Sequence, residues 1–295
     1  MNLIEQCPIC SGSKNNIFLE GKDFSLSKEK FNIVKCLSCN FLYTNPRPFE
    51  KNLGKYYISS NYISHTDSKK GLFNFLYQTI RKYAIKTKTQ LLIKSSQTKK
   101  HLDIGCGTGE FLNSCKNKNI ECVGIEPSDI ARNKGIEKYN LNIKKNTDLK
   151  QFKQNSFESV SMWHVLEHVY EPDQTILNLK KIITNNGTLI IAVPNYESLD
   201  AIIYKKFWAA WDLPIHLNHF SVKSITKLLS NHNFTLEKKI GMKFDSFYVS
   251  LLSNEHKSGN KKYLKGFLIG LISNISAFFG LTQYSSTIYI FSNKK

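Results

Sequence analysis

At 295 residues the chain is long enough for one domain of ordinary size and an appendage. Its 41% hydrophobic and 22% charged content excludes a disordered or fibrous chain. The net charge of +18 admits nucleic acid or an anionic membrane surface as a partner, but the lysines are scattered in short pairs such as Lys99-Lys100 and Lys261-Lys262.

The start, Met1-Asn2-Leu3-Ile4-Glu5, has neither a basic opening nor a long apolar core, so a cytoplasmic protein is expected. In a reducing compartment the seven cysteines read as ligands or core residues. Cys7-Pro8-Ile9-Cys10 and Cys36-Leu37-Ser38-Cys39 are two Cys-x-x-Cys knuckles with 25 residues between them. Four thiolates in two tight pairs match a closed, tetrahedral structural zinc site. Gly12 and Asn40 follow the knuckles and suit the left-handed turn each needs. The alternation of Phe18, Leu19, Phe31, Ile33 and Val34 predicts short hairpin strands, and the chain leaves them through Tyr43-Thr44-Asn45-Pro46-Arg47-Pro48. A four-cysteine ribbon ending in this way resembles the N-terminus of a subgroup of bacterial methyltransferases found with sugar and polysaccharide pathways.

Residues 51–98 are rich in tyrosine and then carry Leu72, Phe73, Leu76, Ile80, Tyr83, Ala84, Leu91 and Leu92 at three- and four-residue spacing. They predict a helical linker that packs on the following domain and partly covers its ligand.

From 100 onward short apolar runs alternate with amphipathic stretches, the pattern of a doubly wound α/β fold. Strands are expected near 100–104, 121–125, 141–144, 159–163 and 188–193, and helices near 110–118, 128–139, 173–183 and 222–231. Ser128 and Ser221 suit helix N-caps, and Asn186-Gly187 suits a helix stop. The first strand runs through Asp103 into Gly105-Cys106-Gly107-Thr108-Gly109, where glycine permits positive φ and close ligand approach. Glu126 ends the next apolar run, placed to accept hydrogen bonds from two ribose hydroxyls. The glycine spacing and the acidic Glu110 suit a cationic ligand better than a dinucleotide. This stretch resembles motif I of class I S-adenosylmethionine-dependent methyltransferases. The resemblance implies a Rossmann-like sheet with an antiparallel last strand and S-adenosylmethionine at Asp103, Gly105, Gly107, Gly109 and Glu126. Asp148 stands where relatives contact the adenine ring.

At the tip of the fourth expected strand lies His164-Val165-Leu166-Glu167-His168. A helical turn there would put His164 and His168 on one face beside Glu167. The segment resembles the Leu-Glu-His-Val motif of small-molecule methyltransferases. In quinone-pathway O-methyltransferases the Glu and His, with a preceding Glu, hold magnesium; His164 occupies that earlier position here. In related sugar methyltransferases a Glu-His pair serves the catalytic base. His168 is therefore the first candidate base, assisted by Glu167, with His164 and His216 as alternatives and His164 also a cofactor contact. A purely structural turn that positions the cofactor tail stands level with this. The block from Phe207 to Ser221, with Trp208, Trp211, Asp212, His216 and His219, reads as an acceptor-side wall, since aromatic faces stack on sugar or nucleoside rings.

Residues 234–241 and 286–292 read as the final antiparallel pair, with 243–284 a helical insertion between them. Its core, 264–281, is marginal for a bilayer span, and the antiparallel pair on either side of it argues against one; packing or dimer contact is expected first and a helix lying on a membrane second. The chain thus divides into a zinc ribbon (1–50), a helical linker or cap (51–98) and a methyltransferase domain (99–295). Methyl transfer to a sugar-like small molecule is expected. The alternative is rRNA base methylation, because one ribosomal guanine methyltransferase family also carries an N-terminal zinc ribbon.

Overall fold

Strands Asn15–Lys22 (β1) and Lys30–Cys36 (β2) pair antiparallel in a computed structural model that describes residues 1–57, 72–96, 98–145 and 147–294. Leu42–Thr44 (β3) adds to β2 and is fully buried. The two knuckles turn through left-handed residues, but the first uses Ser11 (φ 57°), where Gly12 was expected, and the second uses Asn40 (φ 62°). Gly12 is needed for space instead, because a Cβ there would lie 2.6 Å from Ser38 Oγ.

Helix Leu72–Ser95 (α1) follows, and segment 58–71 of the expected linker lies outside the described residues. Leu92 is buried against the sheet, whereas Tyr83, expected on the same stripe, is exposed and packs edge-on to Phe244.

The large sheet grows from Lys100–Ile104 (β4), helix Glu110–Lys116 (α2), Glu121–Ile125 (β5), helix Asp129–Tyr139 (α3), Asn142–Lys144 (β6) and Phe157–Trp163 (β7). Pro172–Ile182 (α4) leads directly into Ile183–Pro194 (β8). Asn186-Gly187 therefore does not stop a helix. Asn186 takes φ 65° inside the strand, where the pairing jumps from Phe157↔Ile183 to Ser159↔Thr188. The chain bulges there and recovers its register.

After Leu199–Tyr204 (α5), the two-residue strand Asn218–His219 (β9) pairs with β3, so the small sheet runs β1-β2-β3-β9. The ribbon is thus bound to the later part of the chain through backbone hydrogen bonds. Val222–Ser230 (α6) and Phe234–Gly241 (β10) come next, and both expected serine caps form: Ser128 accepts from Ala131 N and Ser221 from Ser224 N.

Helices Asp245–Ser258 (α7) and Tyr263–Phe278 (α8) fill the expected insertion before Ser286–Asn293 (β11). The large sheet has the order β10-β11-β8-β7-β4-β5-β6. β4, β5, β6, β7 and β8 are parallel, and β11 is antiparallel to both neighbours. This is an α/β Rossmann-like methyltransferase fold, with strand order reversing beside β4. Ligands in such sheets bind at the carboxyl ends of the strands at that reversal. Among the described residues no helix is long and apolar enough to cross a membrane.

Candidate active site

The glycine loop has the backbone its sequence requires: Gly105, Gly107 and Gly109 have φ of 69°, 56° and 79°. The three differ in what surrounds them. A Cβ on Gly105 would lie 2.5 Å from Val165 Cγ2, while none of the described atoms lies within 4 Å of one on Gly107. The second glycine thus leaves bare backbone open to a ligand. Glu126 reaches back over the loop, accepting from Gly107 N at 2.8 Å with one oxygen and from Ser128 N at 2.9 Å with the other. Each carboxylate oxygen keeps capacity for another donor.

Asp103 is buried at the end of β4 and accepts from the Ser161 hydroxyl. Burial pushes its pKa up to about 7, although Ser161 and Lys88 favour the charged form. Lys88 reaches in from α1 over the Trp163 ring, 4.4 Å from its centroid, and burial depresses its pKa against the pull of Asp103 and Asp245. From the same helix Arg81 pairs with Glu110 at 2.7 Å. Asp148 is exposed and accepts from Lys150 N, capping the turn after β6. The open glycine backbone, the carboxylate at the tip of β5 and the buried acid fit S-adenosylmethionine, a cationic nucleoside.

Beyond β7 the chain does not enter a helix. His164 takes φ 57°, and only Leu166–His168 form a single 3₁₀ turn. The two histidines therefore do not share a helical face, contrary to expectation, and their environments are opposite. His164 Nδ1 lies 3.4 Å from Glu167 Oε1 and its Nε2 lies 3.3 Å from Asp245 Oδ2. Burial opposes the charge on His164, but the two carboxylates outweigh it and raise its pKa to about 9.

His168 is held the other way. Its Nδ1 lies 3.0 Å from the Ile215 carbonyl and 3.1 Å from Tyr57 Oη. A carbonyl can only accept, so Nδ1 carries the proton and Nε2 keeps its lone pair. Burial, then the neighbouring His216, depresses its pKa to about 4. His216 donates from Nδ1 to the Ala210 carbonyl at 2.9 Å, and burial lowers its pKa too. The two rings meet edge to face with centroids 4.6 Å apart. Glu167 is buried, and neither of its oxygens has a hydrogen bond among the described residues. Burial raises its pKa, but His164, and then His168 and His216, outweigh it, so the net shift is downward.

Glu167, His168 and His216 offer ligand atoms within 4.8 Å of one another. Magnesium prefers an octahedron of oxygen ligands. Two imidazoles and one carboxylate do not fit that ion, and no role for magnesium follows.

Residues 77–239, more than half of the chain, match the family model described as a methyltransferase domain. The chain belongs to this family. A ubiquinone biosynthesis O-methyltransferase of Actinobacillus pleuropneumoniae is 31% identical over 109 residues, 33% of this chain and 46% of that protein. An uncharacterised protein of Methanocaldococcus jannaschii is 30% identical over 149 residues, 50% of this chain and 64% of its own length. In both, the matched stretch spans less than two thirds of the relative. A cyclopropane synthase from Mycobacterium tuberculosis shares the fold with a TM-score of 0.53 at 12% identity, over 84% of this chain and 99% of that one. A SAM-dependent methyltransferase from Archaeoglobus fulgidus does so with a TM-score of 0.50 at 18% identity, over 75% and 100%.

The methyltransferase domain treats its aromatic block differently from expectation. Trp208 and Trp211 are buried at 2% and 5% exposure in a cluster with Phe31, Ile33, Leu42 and Tyr204. Trp208 Nε1 donates to Asp200 Oδ2 at 2.7 Å, and Trp211 Nε1 donates to the Lys205 carbonyl at 2.9 Å. These indoles join the domain to the ribbon, and their faces are not free for a sugar. What the block contributes to the site is His216, and beside it Asp212, whose pKa burial raises to about 6. His219 supports the ribbon: its Nε2 lies 3.1 Å from Thr44 Oγ1. Asp245, Lys88 and Tyr57 were absent from the sequence expectations, and no motif surrounds any of them.

The domain's N-terminal ribbon brings Cys7, Cys10, Cys36 and Cys39 together with all four Sγ atoms within 4.8 Å. The Cys7–Cys39 and Cys10–Cys36 sulfur pairs are 3.6 Å apart. Four Zn–S bonds of tetrahedral geometry require about 3.8 Å between sulfurs. The set fits zinc.

Proposed function

We propose that this protein transfers a methyl group from S-adenosylmethionine to a hydroxyl of a small, sugar-like acceptor, with His168 as general base. The observation that carries the reading is the pinned tautomer of His168, with its Nδ1 proton on the Ile215 carbonyl and its Nε2 left as the acceptor. At neutral pH such an imidazole is fully in its proton-accepting form. It stands one turn from Val165, which touches the glycine loop, so the base is adjacent to the cofactor end of β4.

Bound over the glycine loop, S-adenosylmethionine supplies an electrophilic sulfonium methyl. The chain's own work is alignment and proton removal. Gly107 and Glu126 hold the nucleoside, and Asp103 faces the amino-acid end. A proton arriving at His168 Nε2 is stabilised by the buried Glu167 carboxylate, while His216 stays neutral beside it. His164, with its high pKa, remains cationic and keeps Glu167 ionised rather than acting as the base. The name of the ubiquinone-pathway relative supports oxygen as the methylated atom. Scattered lysines support a small acceptor over RNA, since a base-modifying RNA enzyme needs a concentrated phosphate-binding face.

The test is mass spectrometry of methyl transfer to free and nucleotide-linked sugars, alongside RNA binding over a range of salt. Methylated sugar and a steep loss of RNA affinity with salt are expected. Tight, base-selective RNA binding at physiological salt would move the assignment to RNA.

A further inference from the structure

Helix α8 is mounted back to front. Its small residues are buried, Gly266 and Gly270 against α7 and Ser273 against Asp200 of α5, and its large apolar residues point away from the protein. The close approach is built into the glycines: a Cβ on Gly270 would lie 2.9 Å from Phe247 Cα, and one on Gly266 would lie 3.0 Å from Leu251 Cα. Leu264, Leu268, Leu271, Ile275 and Phe278 succeed one another at three- and four-residue spacing, so they form one continuous stripe. Leu264 is 73% exposed and Phe278 71%, and Leu281 extends the stripe past the helix end at 79%. An ordinary surface helix hides this face and shows the polar one.

The charge around the stripe is mainly positive; Glu255 on α7 is paired with Lys261 at 3.6 Å. No Asp or Glu occurs from His256 to Lys295. Exposed Lys257, Lys262 and Lys265 lie at one end of α8, and exposed Lys243 lies at the other, where its carbonyl accepts from Asn274. A second copy of this chain is a poor occupant, because a twofold pairing sets each patch against itself and brings lysines onto lysines. An apolar interior with an anionic rim is the complement, and a bilayer containing anionic lipid has that structure.

We propose that α8 docks this protein onto an anionic membrane surface, lying flat with its apolar stripe in the headgroup region. The proposal stands apart from the identity of the acceptor. It is tested by sedimentation of the full chain with vesicles of phosphatidylcholine alone and of phosphatidylcholine with phosphatidylglycerol. Binding to the anionic vesicles is expected, weakened about tenfold by each of Leu268→Ser and Ile275→Ser. Lys262→Gln and Lys265→Gln should each weaken it about fivefold. All four positions are exposed, so the variants keep the parent melting temperature. Absence of vesicle binding overturns the proposal, as does binding that these substitutions leave unchanged. A dimer in light scattering that Leu268→Ser dissolves would assign the face to a second copy instead.

Discussion

His164 Nε2 lies 3.3 Å from Asp245 Oδ2, which ties the turn after β7 to the first residue of α7. With Glu167 on the other ring nitrogen, the imidazole is cationic between two acids. Its folded pKa, about 9, is above the ordinary value of 6.5. A raised histidine pKa stabilises the fold fully below the unfolded value, and the gain is lost as pH rises towards the folded one. The expectation is a melting temperature that declines between pH 6.5 and 9. Asp245→Asn should flatten that decline and move the His164 imidazole resonance to a lower midpoint by NMR. An unchanged midpoint would mean that this contact does not hold the charge.

The second prediction concerns His168. Replacing it with Ala should reduce turnover about 10²- to 10⁴-fold, the usual contribution of a positioned base. Cofactor affinity should change little. Because burial holds its pKa near 4, wild-type turnover should be insensitive to this group between pH 6 and 8 and should fall only as pH approaches 4. A loss of cofactor binding with an unaltered chemical step would instead make the turn a support for the cofactor.

Glu126→Ala should weaken S-adenosylmethionine binding by about two orders of magnitude, since two hydrogen bonds to a charged group are worth roughly 1.5 kcal/mol or more each. Calorimetry measures this directly. Gly105→Ala should be more damaging than Gly107→Ala, although both glycines have positive φ. Only at Gly105 does the added methyl meet a neighbour, Val165. Equal melting temperatures for the two variants would contradict the packing described.

Purified protein should contain about one zinc per chain by elemental analysis, because four thiolates complete one structural site. Cys36→Ser should abolish it. The damage should spread, since β3 pairs with β9 and Thr44 Oγ1 donates to the His216 carbonyl at 2.8 Å. Limited proteolysis of the metal-depleted protein is expected to cut near 216–219. Protection there after full metal removal would show that the ribbon and the site are uncoupled.

Trp208 tests the reassigned aromatic block. Its partner Asp200 also accepts from Ser273 and Ser285, so the indole completes a buried carboxylate's set of donors. Trp208→Phe keeps most of the volume and removes that donor. It should cost roughly 1.5–3 kcal/mol in denaturant unfolding, the range for a hydrogen bond to a charged group. Loss of sugar affinity with normal stability would restore the ring to the acceptor wall.

The sequence by itself determined what depends on neighbours a few residues apart. The glycine loop after β4, the acid after β5, the serine caps and the two cysteine pairs are local patterns, and each forms at the expected position. The conformation of each is set by a short segment, and the hairpin of β1 and β2 then brings the two cysteine pairs to one site. Tertiary structure decided which distant side chains meet. His216 stands beside His168, and Asp245 beside His164, because the chain returns to the same strand ends from later segments. The tryptophans became core because the ribbon offered them an apolar face, a partner that the composition of their own segment cannot reveal. The expected helical turn at His164–His168 yielded to a left-handed residue and a 3₁₀ turn, since His164 must face Asp245 while His168 faces Ile215. Long-range packing and burial, not local propensity, gave these two histidines of one motif pKa values on opposite sides of neutrality.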